Sequence, residues 1–338
     1  MKKKYKLTNE TMELIKGDRS KVTLYRIKAL KDFGFINKGD LGGWVESEEN
    51  LSQEGICWVY GNAKVYGNAK VYGNAKVYGN AKVYGNAKVF GNCYVYDDAK
   101  VFGNAKVFGN ATVFGNCWVY GNGKVYDNAK VYGNATISDN ATISDNAIIF
   151  GNGVVCDDAK VYNNAKVYGK VMIYDNATVF DNAKVYGNGK VYDNAKVFGN
   201  AEVCGNAKVY GNANVYNIGE ITGNSEVYEN ASVYGDVRDA KICGTTYIGS
   251  HTHIKGYDTQ IPIISNDHQY AYIGPGAGNM TMYKYNNIFY IVLGNICYTE
   301  QTFEKFLNEY SDKDTRIRLK CAINPLKEYI DTRLKLKK

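Results

Sequence analysis

The chain has 338 residues, among them 36 Gly, 31 Tyr and only 3 Pro, and its 41 Lys and Arg against 34 Asp and Glu give a formal net charge of +7. A hydrophobic share of 45% is too high for a disordered polymer, and no apolar run reaches the roughly 18 residues of a membrane-spanning helix. Met1 to Lys16 lack the apolar core of a signal peptide, and the eight Cys form no Cys-x-x-Cys pair, so the expectation is a cytoplasmic protein with free thiols.

Residues 1–58 carry no repeat. Lys21–Leu30 and Phe33–Ile36 read as short strands, and they precede the run Leu-Gly-Gly-Trp-Val-Glu-Ser-Glu-Glu-Asn-Leu-Ser-Gln-Glu-Gly at 41–55. This segment is expected to be a β-rich cap over the first coil of a solenoid that begins at Val59, because a solenoid needs its ends covered.

From Val59 every sixth residue is Val or Ile, thirty in a row up to Val233. Chance does not produce such a series, so the repeat is the architecture. The unit is Val-Tyr-Gly-Asn-Ala-Lys, as in Val65 to Lys70. Its Ala-Lys-Val-Tyr stretch alternates with period two, the mark of a strand, so Ala and Val point inward and Lys and Tyr outward. Gly-Asn tolerates left-handed backbone angles and turns the chain after each strand; three corners close a coil of about 18 residues. Cys93 and Cys117 stand at the inward Ala position and read as small core fillers.

After Val233 the six-residue phase breaks, and the aliphatic series resumes at Ile242, Ile248 and Ile254. One irregular coil is therefore expected from Ile242 to about Thr259. Beyond it, Tyr270–Ile273, Thr281–Tyr285 and Phe289–Leu293 read as strands. Thr299–Tyr310 and Asp314–Leu336 read as helices, the second capped by Ser311 to Asp314 and kinked or split by Pro325. The expected organisation is an N-terminal cap over 1–58, a solenoid over 59–259 and an α+β module over 260–338.

An aliphatic residue at the first position of each hexad and a small one at the fifth resembles the hexapeptide repeat of left-handed parallel β-helices such as the acyltransferase superfamily. The resemblance covers residues 59–238 and implies that fold. The runs at 41–55 and 272–307 are similar to the two ends of bacterial and phage-encoded hexapeptide-repeat proteins, often labelled transferases, which implies a phage or prophage source. The chain departs from the superfamily at the second position, where 25 of 30 residues are Tyr or Phe, the exceptions being Ser138, Ser144, Cys156, Cys204 and Thr222.

Enzymes of the superfamily use a His as general base and act as trimers on acyl-CoA-type donors, so the resemblance makes His251 and His253 the weak catalytic candidates. His268 in its loop has less claim. The spacing His251-Thr-His253 also fits half a metal site, but no second ligand cluster is adjacent in sequence, so neither metal nor cofactor is expected. The uninterrupted hexads leave no extruded loop to build a donor cleft.

The outward residues carry more information. Spacing by eighteen aligns Lys70, Lys88, Lys106 and Lys124 beside Tyr72, Phe90, Phe108 and Tyr126. Residues 59–136 hold 9 Lys against three Asp, residues 137–238 hold 8 basic against 12 acidic side chains, and residues 311–338 hold 9 basic against 4 acidic. Repeated Lys repel one another, and contiguous exposed aromatic surface marks a partner site. The sequence therefore points to a non-enzymatic, rod-like scaffold that binds a protein, a polyanion such as nucleic acid, or other copies of itself, either as a trimer or in end-to-end and lateral assembly. The alternative is a trimeric acyltransferase.

Overall fold

A computed structural model describes residues 3–250, 252–256, 262–265, 270–273, 280–293, 296–309 and 312–335. The chain forms two compact units, Met1–Asn176 and Ala177–Lys338. Both are built on a parallel β-solenoid.

In the first unit each hexad contributes a strand of two residues, and strands eighteen residues apart stack in parallel register. Lys64–Val65 pairs with Lys82–Val83, which pairs with Lys100–Val101. Lys70–Val71, Lys88–Val89 and Lys106–Val107 form a second ladder, and Lys76–Val77, Tyr94–Val95 and Thr112–Val113 a third. The inward Val and Ala side chains, such as Val83, Ala87, Val101 and Ala105, are wholly buried. Such short strands persist because each outward residue donates its backbone N–H to the coil above, as Tyr84 N does to Val101 O at 3.0 Å.

At the corners it is the Gly of Gly-Asn that takes the left-handed angle, with φ +68° at Gly85. Where Gly is absent the substitute is mostly Asp, which tolerates the same region; Asp97 has φ 58° and its carboxylate accepts from Gly115 N one coil on at 3.2 Å. The Asn has another role. Asn86 Nδ2 donates to Asn104 Oδ1 at 3.0 Å and Asn104 Nδ2 to Asn122 Oδ1 at 3.1 Å, so amide ladders run along the corners. The sequence explains the turn but does not announce these ladders.

The cap is a meander that lengthens one ladder. Strand β1 (Tyr5–Ile15) pairs antiparallel with β2 (Lys21–Ala29), β2 with β3 (Leu41–Val45), and β3 stacks in parallel on Lys64–Val65. Sequence reading finds β2 but misses β1, whose Lys, Thr and Glu hide its apolar alternation. Phe33 and Ile36 make an isolated antiparallel bridge rather than a strand. Asn50 closes the first coil: its Nδ2 donates to Gly67 O at 2.8 Å and Ala69 O at 2.9 Å, and its Oδ1 accepts from Ser47 N at 2.9 Å. Lys4, 1% exposed, is buried below Phe33 with Nζ donating to Cys57 O at 3.0 Å and Cys57 Sγ at 3.3 Å. Burial lowers its pKa.

In the second unit the same stacking continues through Ser232–Val233. The phase break is then resolved differently from the sequence expectation. Val237, in the strand Asp236–Arg238, supplies the missing rung, pairing with Ile221 on one side and Ile254 on the other. The steps as far as Ile254 are shorter than eighteen residues, the next is longer, and Ile264 pairs with Ile242 as the last rung among the described residues, beyond position 259. Strands Tyr270–Ile273, Met280–Tyr285, Ile288–Leu293 and Ile296–Thr299 form an antiparallel sheet in that order, the last of them absent from the sequence reading.

Helices α1 (Glu300–Glu309) and α2 (Lys313–Lys335) cover this sheet, burying Phe303, Leu307, Leu319, Leu326 and Ile330 against Met280, Met282 and Ile291. Pro325 lies inside α2 without splitting it, because Leu319 on one side and Leu326 and Ile330 on the other anchor both halves to one core. Asp312 caps α2, accepting from Asp314 N at 3.1 Å; Ser311 lies outside the described residues.

Candidate functional site

Two places bring the sequence candidates together. The first is the outer wall of the first unit. Lys70, Lys88, Lys106 and Lys124 stand in one register column, all exposed, and among the described residues none has an acidic partner. Beside them Tyr72, Phe90, Phe108 and Tyr126 form one stack, with centroids 4.8, 4.9 and 4.8 Å apart and planes within 2° of parallel. Each inner ring therefore has both faces covered by its neighbours, which leaves ring edges and ammonium groups as the contact surface. Parallel register at the strand spacing dictates this, since identical side chains on successive rungs overlie one another. The stack is half-buried and adds cohesion along the ladder.

The second place is the end of the solenoid in the second unit. Parallel register aligns Lys184, Glu202, Glu220, Asp236 and His253 in one outward column. His253 Nδ1 lies 2.8 Å from Asp236 Oδ2, and the His253 backbone N donates to Thr281 Oγ1 at 3.0 Å. The bond to Asp236 raises the imidazole pKa despite half-burial. Burial, with Asp236 and Glu202 nearby, raises Glu220. Arg238 and Lys255 stand one column over and join His253, Asp236 and Glu220 around a recess of about 90 Å³.

Such a His–Asp pair fixes the ring orientation and leaves Nε2, which bonds to no described residue, as a base. The recess is well below the roughly 300–1,000 Å³ of a small-molecule pocket, so the described residues around His253 form no donor cleft. His251 and His268 lie outside the described residues.

Sequence reading finds His253 but not its partner. Asp236 sits in the rung that the six-residue phase passes over. A third cluster has no signal in the repeat either: Asp139, Cys156 and Asp157 place their ligand atoms within 4.8 Å of one another. Here burial and the adjacent Asp157 push the Cys156 thiol up to about 12. The eight cysteines are free thiols. Among the described residues no helix is long and apolar enough to cross a membrane.

A family model described as the YdcK beta solenoid repeat matches residues 105–121. Over 61 residues the chain is 38% identical to a protein of Escherichia coli (strain K12) named uncharacterized acetyltransferase YdcK; the match spans 17% of this chain and 19% of that relative, so the chain covers about a fifth of the relative's length. The repeat, the rung register and this similarity agree: the chain is a hexapeptide-repeat parallel β-solenoid with a small C-terminal sheet and two terminal helices, similar in its repeats to YdcK.

Proposed function

We propose that the chain is a cytosolic, non-enzymatic binding scaffold whose working surface is the lysine column of the first unit, offered to an anionic partner. One observation carries this reading: Lys70, Lys88, Lys106 and Lys124 repeat in register, exposed, with no acidic partner among the described residues. Like charges on neighbouring rungs repel, and an anionic surface running along the ladder relieves that repulsion. Because the ring faces stack on one another, recognition here works through charge and ring edges rather than by stacking bases. The partner is either a polyanion or the acidic wall of another protein, another copy of this chain included.

The test is the salt dependence of binding to a polyanion such as heparin or single-stranded DNA at about 50 and 500 mM salt. A steep loss of binding with salt is expected, with a shallower slope after Lys70, Lys88, Lys106 and Lys124 are replaced together by Ala. A slope unchanged by that replacement contradicts the proposal.

A second reading, acyl transfer with His253 as general base, is favoured by the 2.8 Å His253–Asp236 bond and by the name of the E. coli relative. It requires the donor cleft to be completed by other copies, as in a trimer. Acyl-CoA thiol release that persists undiminished in His253→Ala removes it.

A further inference from the structure

Two repeats of the second unit show what a Lys-Val-Tyr rung does with an anion. Lys184 Nζ and Tyr186 Oη both bond to Glu202, at 2.6 and 3.0 Å. Lys208 Nζ and Tyr210 Oη both bond to Glu226, at 3.3 and 3.1 Å. In each case the carboxylate comes from the equivalent position one coil on, and the rung closes on it with an ammonium and a phenol. The protein's own outer wall thus repeats a two-point carboxylate clamp.

Lys82-Val83-Tyr84 in the first unit is the same rung, but the equivalent position one coil on is Lys100. Among the described residues neither Lys82 nor Lys100 has an acidic partner. Here the wall is covered: the β1–β2 hairpin lies over it, with Met12, Leu14 and Tyr84 all packed on the cluster of Val22, Leu24, Trp44 and Tyr66. Between tip and wall lies a cavity of about 480 Å³, lined by Lys82, Lys100 and Tyr84 on one side and by Leu14, Ile15 and Lys16 on the other. That volume is in the range of small-ligand pockets.

The nearby acids are already engaged. Asp18, also on the cavity wall, accepts from Ser20 N at 2.9 Å and Ser20 Oγ at 2.6 Å, Glu13 pairs with Lys21 at 2.9 Å, Glu10 with Arg26 at 3.3 Å, and Glu46 accepts from Gly67 N at 2.6 Å. Lys16, Lys82 and Lys100 therefore line the cavity against one carboxylate that is tied into its own turn, and the Lys100 ammonium also lies 4.5 Å from the centroid of the Trp118 ring. Ile15 presents an apolar surface that is 67% exposed.

We propose that this cavity binds a carboxylate-bearing ligand with a short apolar body. The carboxylate sits between Lys82, Lys100 and the Tyr84 hydroxyl, as Glu202 and Glu226 sit in their clamps, and the apolar body lies along Leu14 and Ile15. A free aliphatic acid and the carboxyl terminus of an apolar peptide share this chemistry.

The experiment titrates octanoate, neutral octanamide and an apolar tetrapeptide with a free or amidated C-terminus into the full chain, followed by calorimetry. Octanoate is expected to bind at least about ten-fold tighter than octanamide, since the charge-assisted bonds disappear with the charge. Lys82→Ala should abolish that preference and Tyr84→Phe should weaken octanoate several-fold. Lys184→Ala, which breaks a clamp elsewhere, should leave it unchanged. Tighter binding of the free-terminus peptide than of octanoate assigns the ligand to a peptide terminus, and the reverse to a free acid. Equal affinity for octanoate and octanamide, no binding of either acid at millimolar concentration, or undiminished octanoate binding by a folded Lys82→Ala protein overturns the proposal.

Discussion

The walls at residues 59–136 and 177–238 are built from one repeat and differ in what their outer lysines meet on the next coil. In the first, Lys stacks on Lys, as Lys70, Lys88, Lys106 and Lys124 do. In the second, Glu enters the ladders, so that Lys184 stacks on Glu202 and Lys208 on Glu226, while Lys190 still stacks on Lys208. The interiors do not differ: Val and Ala are fully buried in both. The same backbone therefore carries self-repelling or self-satisfied outer ladders, and what distinguishes the stretches is available for binding rather than needed for folding.

The largest effects lie in the interior, where the two walls should respond alike. Val107→Asp in the first stretch and Val209→Asp in the second each strand a charge among buried aliphatics, and each should cost about 3–5 kcal/mol or more in chemical denaturation. A large effect at one position and a negligible one at the other would show that the interiors are not equivalent.

The outer ladders should separate the stretches by sign. Glu226→Lys removes the anion that Lys208 and Tyr210 hold at 3.3 and 3.1 Å and should destabilise by about 1 kcal/mol, whereas Lys106→Glu relieves repulsion from Lys88 and Lys124 and should stabilise by about 0.2–1 kcal/mol. Two substitutions with the same sign would refute the contrast.

The end of the second unit adds a pH dependence through His253. Its folded-state pKa is raised above the ordinary 6.5, first by the bond to Asp236, so its contribution to stability is complete below pH 6.5 and is lost as pH rises through the raised value. Asp236 and Glu220 favour the charged imidazole, while Arg238 and Lys255 share the recess. The melting temperature of wild type should fall over that interval, and His253→Gln should flatten the fall. The smallest effect is chemical: with a thiol reagent at about pH 8, exposed Cys321 should react first, while Cys93 and Cys117, wholly buried and pushed up to about 12 by that burial, stay silent.

The solenoid is legible in the sequence because a period of six repeated thirty times leaves no other way to bury Val and Ala. The outward columns, Lys70 with Tyr72 and Lys124 with Tyr126 among them, come from the same count. The features that sequence misses are set by contacts between distant residues. Strand β1 makes sense only beside β2, and Lys4 is a core residue only because the Cys57 thiol and three backbone carbonyls, those of Glu54, Gly55 and Cys57, receive its ammonium. Asp236 becomes the partner of His253 only because the coil shortens at Val237, a packing event that periodicity passes over. The stacked rings show a further limit: an aromatic column reads as a binding surface until parallel register shows its faces consumed by one another.

The most direct measurement monitors folding and binding together in one variant, with Lys70, Lys88, Lys106 and Lys124 all changed to Gln. The expected result is a melting temperature equal to or above wild type, since no ion pair among the described residues is lost and repulsion is relieved, together with loss of salt-sensitive retention on an anionic matrix. Retention equal to wild type, or a protein that no longer folds, would contradict the claim that these side chains serve a partner rather than the fold.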